Sequence, residues 1–543
     1  MATLARQKSL GAFYTPEPIA TALVEWAIQS PRDIVLDPSF GGLAFLNAAE
    51  RRLVELGAEH PASQLYGTDL DPDAFGDAAR LRAAGATLLN RDFLLLAPGR
   101  RVLPRADAVV GNPPYVRYQA FQSMRERGRT IAARHGVHLT RLASSWAPLL
   151  IHASDFVSPG GRLAQVLPAE LIHAQYARDV LGYLCRSFER VVVAAFDEHI
   201  FTGAQEEVVL LFASGRGTGC APGVETLSFT NLDSFKVPQE RGAVLDPDHE
   251  HKLLVGLVEP DAIRVYDELR ASDRTRRLGA LASVDIGAVT GANAFFVRAA
   301  EDVRHLPPEI LKPAVSKAAH VAGARFGRHD LDAMDQSGTP ARMVVIDADS
   351  PHVAGQAVQA LVDQGEREGI SQRYKCRIRS PWWSLPAAQV SNPPSLFLTY
   401  MSSEMARLII NDVGALNTNT LHGVRLHNGA DPGALVVGFY SSLTRLSAEL
   451  VGRSYGGGVL KLEPTEAERL ILPRPARHHA RLLAEVDVLL RDRQYEQLTS
   501  VVDKAILVDD LGMSEADVAL LRRGAERLRE RRLLRARGSR RRT

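Results

Sequence analysis

The fold prediction begins from one segment, Val109-Val110-Gly111-Asn112-Pro113-Pro114-Tyr115, because a run of β-branched residues stops there at a rigid turn. The two prolines fix the backbone and remove two N–H donors, which leaves carbonyl oxygens free to accept hydrogen bonds. An Asn carbonyl and a proline carbonyl can both accept from one NH2 group. The motif therefore predicts a binding site for a planar nitrogen at a strand end, and an ordinary proline-rich turn is the plainer alternative.

Around this segment, residues 1 to about 215 alternate short β-branched runs with amphipathic helical patterns. This alternation is typical of a doubly wound α/β sheet with crossover helices. Thr15-Pro16-Glu17 predicts a helix start capped by the Thr15 hydroxyl, and a second helix is predicted around residues 43–56. Strands are predicted at 34–36, 64–69, 86–90, 106–111, 162–167, 190–196 and 207–212.

The chain has 543 residues, of which 45% are hydrophobic and 24% charged, as in a soluble globular protein. This length predicts more than one domain. We expect an α/β domain at 1–245, a mixed α+β domain at 246–478, and a helical, arginine-rich segment at 479–543. Neither a membrane span nor a signal peptide is predicted, and the three separated cysteines fit neither a disulfide framework nor a zinc site. A reducing cytoplasm is the expected location.

The basic residues are clustered, although the net charge is only +2. Arginines dominate residues 522–542, and Arg373, Lys375, Arg377 and Arg379 alternate along one short segment. Alternation at strand period would place these four side chains on one face, which we expect to meet a phosphate backbone. A solvated edge strand protected by its charge is the alternative.

Three aspartates, Asp37, Asp69 and Asp92, fall at or just past predicted strand ends. Ligands of doubly wound sheets bind outside the carboxyl ends of the strands. Asp69 is placed to accept from ribose hydroxyls, and Asp92 with Phe93 to face an adenine ring. Since the loop at 39–44 is neither a dinucleotide nor a triphosphate motif, the sequence predicts an adenosyl ligand without a pyrophosphate. A capping role remains the alternative for any single aspartate.

A second polar group, at residues 246–251, contains two aspartates, two histidines and a glutamate. Such a group can suggest a metal site, but a polar linker is by far the more frequent explanation of this pattern. No metal is predicted.

Together these segments resemble the Taq-type (gamma-class) N6-adenine DNA methyltransferases of restriction-modification systems. The matching motifs occur in the family's order, and no nuclease domain is expected ahead of the first. They are Gly11–Pro16, Asp37–Leu46, Gly67–Pro72, Arg91–Phe93 and Asn112–Tyr115.

The resemblance implies a Rossmann-like methyltransferase domain that binds S-adenosylmethionine. Phe40 and Leu43 depart from the family, which often has Cys and Gly there, so we expect altered packing near the methionine part of the cofactor. The implied cofactor-binding residues are Phe13, Tyr14, Thr15, Pro16, Asp37, Pro38, Gly41, Asp69, Leu70, Asp92 and Phe93.

For catalysis, the resemblance implies direct methyl transfer to N6 of an extruded adenine, with the amine held by the carbonyls of Asn112 and Pro113. Pro114 completes the rigid turn, and Tyr115 stacks on the target base. Phe201 is implied as a second stacking residue, although a core position is the plainer interpretation of that residue taken alone.

The rest of the chain resembles the family's target-recognition domain in patches, among them Val289–Phe296 and Tyr455–Gly458. The expected partners are double-stranded DNA and a separate restriction endonuclease or phage-defence protein. Methylation of protein glutamine or of RNA, and a degenerate DNA-binding subunit, are the alternatives. The candidate DNA-binding residues are Arg117, Arg373, Lys375, Arg377, Arg379 and Trp382.

Overall fold

The chain separates into two compact units in a computed structural model. The first unit comprises residues 1–260 and 534–543, and the second comprises 261–533. The structure describes residues 15–99, 102–115, 122–140, 143–174, 176–198, 200–201, 207–238, 242–246, 253–349, 351–427, 429–455, 457–474 and 480–540.

A large sheet forms the centre of the first unit. Within the described ranges it has nine strands in the order β3-β2-β1-β4-β5-β7-β6-β8-β9. The strands are β1 (Val35–Asp37), β2 (Leu65–Asp69), β3 (Thr87–Asn90), β4 (Ala106–Gly111), β5 (Val157–Pro168), β6 (Phe188–Phe196), β7 (Val208–Arg216), β8 (Val224–Phe229) and β9 (Ala243–Leu245).

The strands from β3 to β5 are parallel, whereas β7 runs antiparallel between β5 and β6. Parallel neighbours require crossover connections, which helices provide. The helices are α1 (Glu17–Ala27), α2 (Ala44–Glu55), α3 (Ala74–Asp77), α4 (Ala79–Ala83), α5 (Gln122–Arg134), α6 (Trp146–Asp155), α7 (Glu170–His173) and α8 (Ala177–Ser187). The predicted doubly wound α/β fold is confirmed.

The strand order reverses between β1 and β4. The chain passes from β1 outward to β2 and β3, then returns to β4 on the other side of β1. Such a switch point opens a crevice at the carboxyl ends of the strands. This topology brings Asp37 at the end of β1 close to Gly111 at the end of β4, where the Asn-Pro-Pro-Tyr segment begins.

The start of α1 corrects one prediction. Pro16 occupies the position before the helix, and no side chain caps it. The Thr15 hydroxyl instead accepts a hydrogen bond from Asn112, 97 residues away. The cap prediction was wrong because a local sequence signal cannot anticipate a partner brought in by the sheet topology.

The second unit combines small sheets with short helices, as the α+β prediction required. Its described strands form a five-stranded sheet (β11-β20-β16-β18-β14), a four-stranded sheet (β12-β15-β13-β19), a three-stranded sheet (β17-β22-β21) and the pair β10-β23. The strands are β10 (Thr275–Arg277), β11 (Ala282–Ile286), β12 (Val297–Arg298), β13 (Leu311–Val315), β14 (Arg325–Phe326), β15 (Arg342–Val344), β16 (Leu396–Leu398), β17 (Met401–Ser402), β18 (Leu408–Asn411), β19 (Leu416–Asn417), β20 (His422–Leu426), β21 (Arg453–Tyr455), β22 (Val459–Lys461) and β23 (Ile471–Pro473).

Helices follow the same stretch of chain and dominate its carboxyl end, where a π-helical turn covers Asp503–Asp510. The helices are α9 (Pro260–Ala271), α10 (Leu278–Leu281), α11 (Asn293–Phe296), α12 (Ala300–Val303), α13 (Arg328–Gln336), α14 (Gln356–Arg367), α15 (Tyr374–Arg377), α16 (Ala387–Val390), α17 (Pro432–Phe439), α18 (Ser442–Val451), α19 (Pro464–Ala467), α20 (Ala480–Arg491), α21 (Tyr495–Val502) and α22 (Glu515–Arg540). None of the helices in the described ranges has the length and hydrophobicity of a membrane span.

The basic segment around α15 corrects a second prediction. Residues 374–377 form a helical turn, with Arg373 in the preceding cap position, and are not a strand. The turn buries Cys376, whose thiol donates to the Thr290 carbonyl at 3.6 Å. Alternation over so few residues fits either structure, and the burial of Cys376 selects the helical one.

Candidate active site

The NPPY turn, Asn112–Tyr115, continues directly from β4. Three hydroxyl groups from distant parts of the chain hold it. The Ser39 hydroxyl donates to the Asn112 carbonyl at 3.3 Å, and the Ser145 hydroxyl donates to the Pro114 carbonyl. The Asn112 side-chain amide donates through Nδ2 to the Thr15 hydroxyl at 3.2 Å. The turn is therefore fixed through both its backbone and its asparagine side chain.

Tyr115 turns back on Asn112 in this structure. Its hydroxyl lies within hydrogen-bond distance of Asn112 Oδ1 and 3.0 Å from the Val166 carbonyl. The ring is half-buried and packs against the core of the first unit. The oxygen that the sequence assigns to a substrate amine is thus occupied by a phenol of the protein itself.

Asp37 is the most deeply buried acidic group of the site, with 0% of its surface exposed. Its Oδ1 accepts from the Ser39 backbone N–H at 3.0 Å. Burial is the main cause that raises the pKa of Asp37 to about 8, and the nearby Asp69 adds to it, while the Ser39 hydrogen bond opposes it. A cation beside this carboxyl would restore its charge.

Asp69 ends β2 and organises the loop that follows β1. Its Oδ2 accepts from the Gly41 N–H at 2.9 Å, and its Oδ1 from the Asp71 N–H at 2.8 Å. Burial raises the pKa of Asp69, against the pull of these backbone donors. Gly41 has a φ of 44°, a conformation that glycine adopts without strain. Leu70, next in the chain, is 54% exposed and offers an apolar surface at the strand end.

Asp92 and Phe93 are engaged inside the protein. Asp92 caps a short helical turn by accepting from the Leu94 N–H at 3.0 Å, and it forms an ion pair with Arg127. The Phe93 ring is 3% exposed and lies 4.9 Å from the His152 ring, measured between centroids. The carboxylate of Asp92 stays near the strand ends, whereas Phe93 is placed as a core residue.

The two departures in the cofactor loop have clear structural roles. Phe40 is buried and packs edge-on against Phe75, with centroids 5.1 Å apart. A Cβ on Gly67 would lie 2.9 Å from the Phe40 ring, so that glycine makes room for it. Leu43 takes the left-handed conformation with φ 64°, at a cost of about 1–2 kcal/mol that its buried side chain offsets.

Several predicted residues are not brought into the site. Phe201 is 5% exposed and belongs to the hydrophobic core, so no open stacking surface is formed by its ring. Its stacking role stays a prediction. Phe13, Tyr14 and Arg117 lie outside the described residues, as does the stretch 247–252.

The residues that hold the NPPY turn and Asp92 in place were not predicted from the sequence. Ser39 lies inside a recognised motif, but nothing marked its hydroxyl as the donor to Asn112. Ser145 and Gln165 lie outside every motif and come close to the NPPY turn because α6 and β5 pack beside β4. Arg127 was missed for the same reason, since it reaches Asp92 from α5.

In the second unit, two candidate DNA-binding residues are used internally. Arg379 donates to the carbonyls of Thr290 and Lys375, and its guanidinium lies 5.5 Å from the Phe296 ring centroid. Trp382 packs against Phe295 with centroids 5.6 Å apart.

The remaining three basic residues, Arg373, Lys375 and Arg377, are exposed on the turn that includes α15. They form no ion pair with any residue of the described ranges.

Two family models match the chain. The N-6 DNA methylase model matches residues 1–214, and the model of the carboxyl-terminal domain of the type II methyltransferase M.Eco57I matches residues 250–507. The first match lies within the first unit and includes every motif that carried the resemblance. The second covers most of the stretch predicted to contain target recognition.

Two curated type II methyltransferases are similar to the chain over most of their length. The type II methyltransferase M.XamI of Xanthomonas campestris pv. amaranthicola is 26% identical, over 88% of this chain and 87% of the relative. M.AccI of Acinetobacter calcoaceticus is 19% identical, over 86% of each. The solved type IIL restriction-modification enzyme MmeI, at 12% identity, gives a TM-score of 0.59 over 98% of this chain and 76% of that one. The last likeness concerns the fold alone.

The cofactor of this family, S-adenosylmethionine, fits the residues at the strand ends. Asp37 keeps a buried carboxylate oxygen, Oδ2, that lacks a hydrogen-bond partner within the described residues, as a site for a cationic ligand would. Asp69 and the exposed Leu70 lie at the end of the neighbouring strand, where a nucleoside binds in such folds. The two family matches and the type II methyltransferase relatives together support an N6-adenine methyltransferase of a restriction-modification system.

Proposed function

We propose that this DNA methyltransferase transfers a methyl group to N6 of an adenine that is rotated out of double-stranded DNA. The observation that carries the proposal is the NPPY turn, held by Thr15, Ser39 and Ser145 at the end of β4, next to the buried Asp37 of β1. A rigid set of acceptors beside a site for a cationic cofactor is what methylation of an aromatic amine requires.

The chemistry needs no strong base. The lone pair of an exocyclic amine is delocalised into its ring, which makes the nitrogen a poor nucleophile. Asn112 Oδ1 and the Pro113 carbonyl accept the two amine hydrogens, favour a tetrahedral nitrogen and direct its lone pair. S-adenosylmethionine would supply an electrophilic methyl group on its sulfonium and leave as the thioether S-adenosylhomocysteine, while the methylated nitrogen would release one proton to water. Positioning and fixed dipoles then account for the rate enhancement.

Tyr115 has to move for this reaction. Its hydroxyl contacts the same Asn112 oxygen that the amine would use. We infer that the incoming base displaces the phenol and that the released ring stacks on the base. The stacking offsets part of the few kcal/mol that extruding a base costs. Phe201 would supply the opposite face only if it left the core.

Double-stranded DNA is the proposed partner, in line with the relative MmeI, which was solved in complex with DNA. Arg373, Lys375 and Arg377 would contact phosphates, because they are exposed and carry unpaired charge within the described part of the second unit. The proposed domains are residues 1–245, 246–478 and 479–543. The first would catalyse methyl transfer, and the second would recognise the DNA sequence. A DNA substrate also favours the cytoplasm, and a separate restriction endonuclease or defence protein as a functional partner.

Transfer of label from S-adenosylmethionine to duplex DNA tests the proposal, with the Asn112→Ala variant as the key comparison. The variant should lose about 10²-fold or more in turnover, since it removes one of two fixed acceptors. Its cofactor affinity should stay close to that of the wild type. Asn47→Ala, which alters a side chain on α2 bonded to Arg80, is the matched control and should keep full turnover. Unchanged turnover in Asn112→Ala, or label on protein or RNA alone, would refute the proposal.

A further inference from the structure

Two buried polar atoms beside the NPPY turn have no hydrogen-bond partner within the described residues. They are Oδ2 of Asp37, whose side chain is completely buried, and Nε2 of Gln165, which is 2% exposed. Buried polar groups are nearly always paired, because an unpaired one destabilises the folded protein. A pair of such atoms in one place indicates a bound group that satisfies them.

Both side chains flank the same glycine. Gly111, the residue before Asn112, pairs in register with Gln165 on the neighbouring strand β5. A Cβ on Gly111 would lie 2.9 Å from Asp37 Oδ1 and 3.6 Å from Gln165 Nε2. The carboxylate and the amide therefore face the same small space at the carboxyl ends of β1, β4 and β5.

This space is lined by one hydrogen-bond acceptor and one hydrogen-bond donor. Asp37 Oδ2 is acceptor-only when ionised, and the Gln165 amide offers N–H donors. Burial favours the neutral form of Asp37 and raises its pKa to about 8, whereas an adjacent cation would favour the ionised carboxylate. A ligand with an ammonium and a carboxylate on one carbon would satisfy both side chains.

We propose that Gln165 is a further cofactor-binding residue, which donates from Nε2 to the α-carboxylate of S-adenosylmethionine while Asp37 accepts from the adjacent ammonium. The proposal rests on the methyl-transfer function only through its cofactor. The alternative is a structural role, in which Gln165 and Asp37 bind each other through a buried water.

Calorimetric binding of two ligands separates these roles. S-adenosylmethionine carries the carboxylate, and decarboxylated S-adenosylmethionine lacks it. Gln165→Met keeps the length of the side chain and removes the donor, so it should weaken S-adenosylmethionine binding about tenfold to a hundredfold, the effect of losing a charge-assisted hydrogen bond. Binding of the decarboxylated ligand should remain unchanged.

The matched control is Gln64→Met, whose amide bonds the carbonyls of Pro31 and Asp33 at the opposite end of the sheet. It should leave the preference for the carboxylate intact. If Gln165→Met fails to fold, Gln165→Glu retains the volume and polarity and should repel the carboxylate, again without weakening the decarboxylated ligand.

Equal weakening of both ligands by the Gln165 variants, or no weakening of either, would overturn the proposal. A wild-type protein that binds S-adenosylmethionine through Gln165 but methylates no DNA would overturn the proposed function and leave the role of Gln165 standing. Failure of the wild type to bind S-adenosylmethionine would overturn both.

Discussion

Replacing Asp37 with asparagine should change how the stability of the first unit depends on pH. The carboxyl is completely buried, and burial raises its pKa from 3.8 to about 8 in the folded protein. Between these two values the folded chain holds a proton that the unfolded chain releases. Stability therefore falls as the pH rises through this window, and the loss is complete above about pH 8. The Asp37→Asn variant lacks this titrating group, so it lacks this dependence of stability on pH.

The size of the effect follows from the two pKa values. Each pH unit inside the window costs the wild type up to about 1.4 kcal/mol relative to the Asp37→Asn variant. From about pH 5 to about pH 7 the variant should gain up to roughly 3 kcal/mol over the wild type. The asparagine retains Oδ1 to accept from the Ser39 N–H, so this hydrogen bond cancels in the comparison. The raised pKa of Asp69 is present in both proteins.

The assay is urea unfolding without cofactor across this pH range, followed by tryptophan fluorescence. Of the four tryptophans, Trp26 and Trp146 belong to the first unit and Trp382 and Trp383 to the second. A shared background of Trp382→Phe and Trp383→Phe makes the signal report on the first unit alone.

The matched control is Asp77→Asn, which removes an exposed carboxylate from α3 of the same unit. Its pH dependence should follow that of the wild type. Parallel pH profiles for the wild type and Asp37→Asn would refute the reasoning, because they would mean that the buried carboxyl titrates alike in both states.

Two further predictions concern DNA. Changing Arg373, Lys375 and Arg377 together to glutamine should weaken binding to duplexes of any sequence and reduce the slope of log affinity against log salt by about 3, one for each phosphate contact. Fluorescence anisotropy at several salt concentrations measures this slope, and an unchanged slope would exclude these contacts. The control is Arg304→Gln, which removes an exposed partner of Glu301 and should leave the slope unchanged. Phe201→Ala should reduce the fluorescence rise of a 2-aminopurine target on extrusion; an unaltered rise in a folded variant would leave Phe201 as a core residue.

The strands β1 to β7 of the first unit were predictable because their signals are local, whereas β8 and β9 were not predicted. The strand Ala106–Gly111 has the predicted bounds, since a β-branched run meets a glycine, an asparagine and two prolines there. The same alternation of strand and helix predicted the doubly wound sheet. Asp37 and Asn112 could therefore be expected at one edge of the sheet.

Partners that depend on tertiary packing could not be predicted. Thr15 carries the local signal of a helix cap, yet its hydroxyl accepts from Asn112. In the sequence, Gln165 is one residue of an apolar strand. Its position beside the NPPY turn follows only from the pairing of β5 with β4. The segment around Cys376 alternates like a strand, but burial of its thiol against Thr290 favours a helical turn.

The identity of the methylated nucleoside tests the central claim most directly. Duplex DNA is incubated with the protein and S-adenosylmethionine, digested to nucleosides and analysed by mass spectrometry against authentic standards. The arrangement of Asn112 and Pro113 predicts N6-methyl-2′-deoxyadenosine as the product, absent with Asn112→Ala. Methylation of cytosine alone, or the same product from the Asn112→Ala variant, would contradict the account.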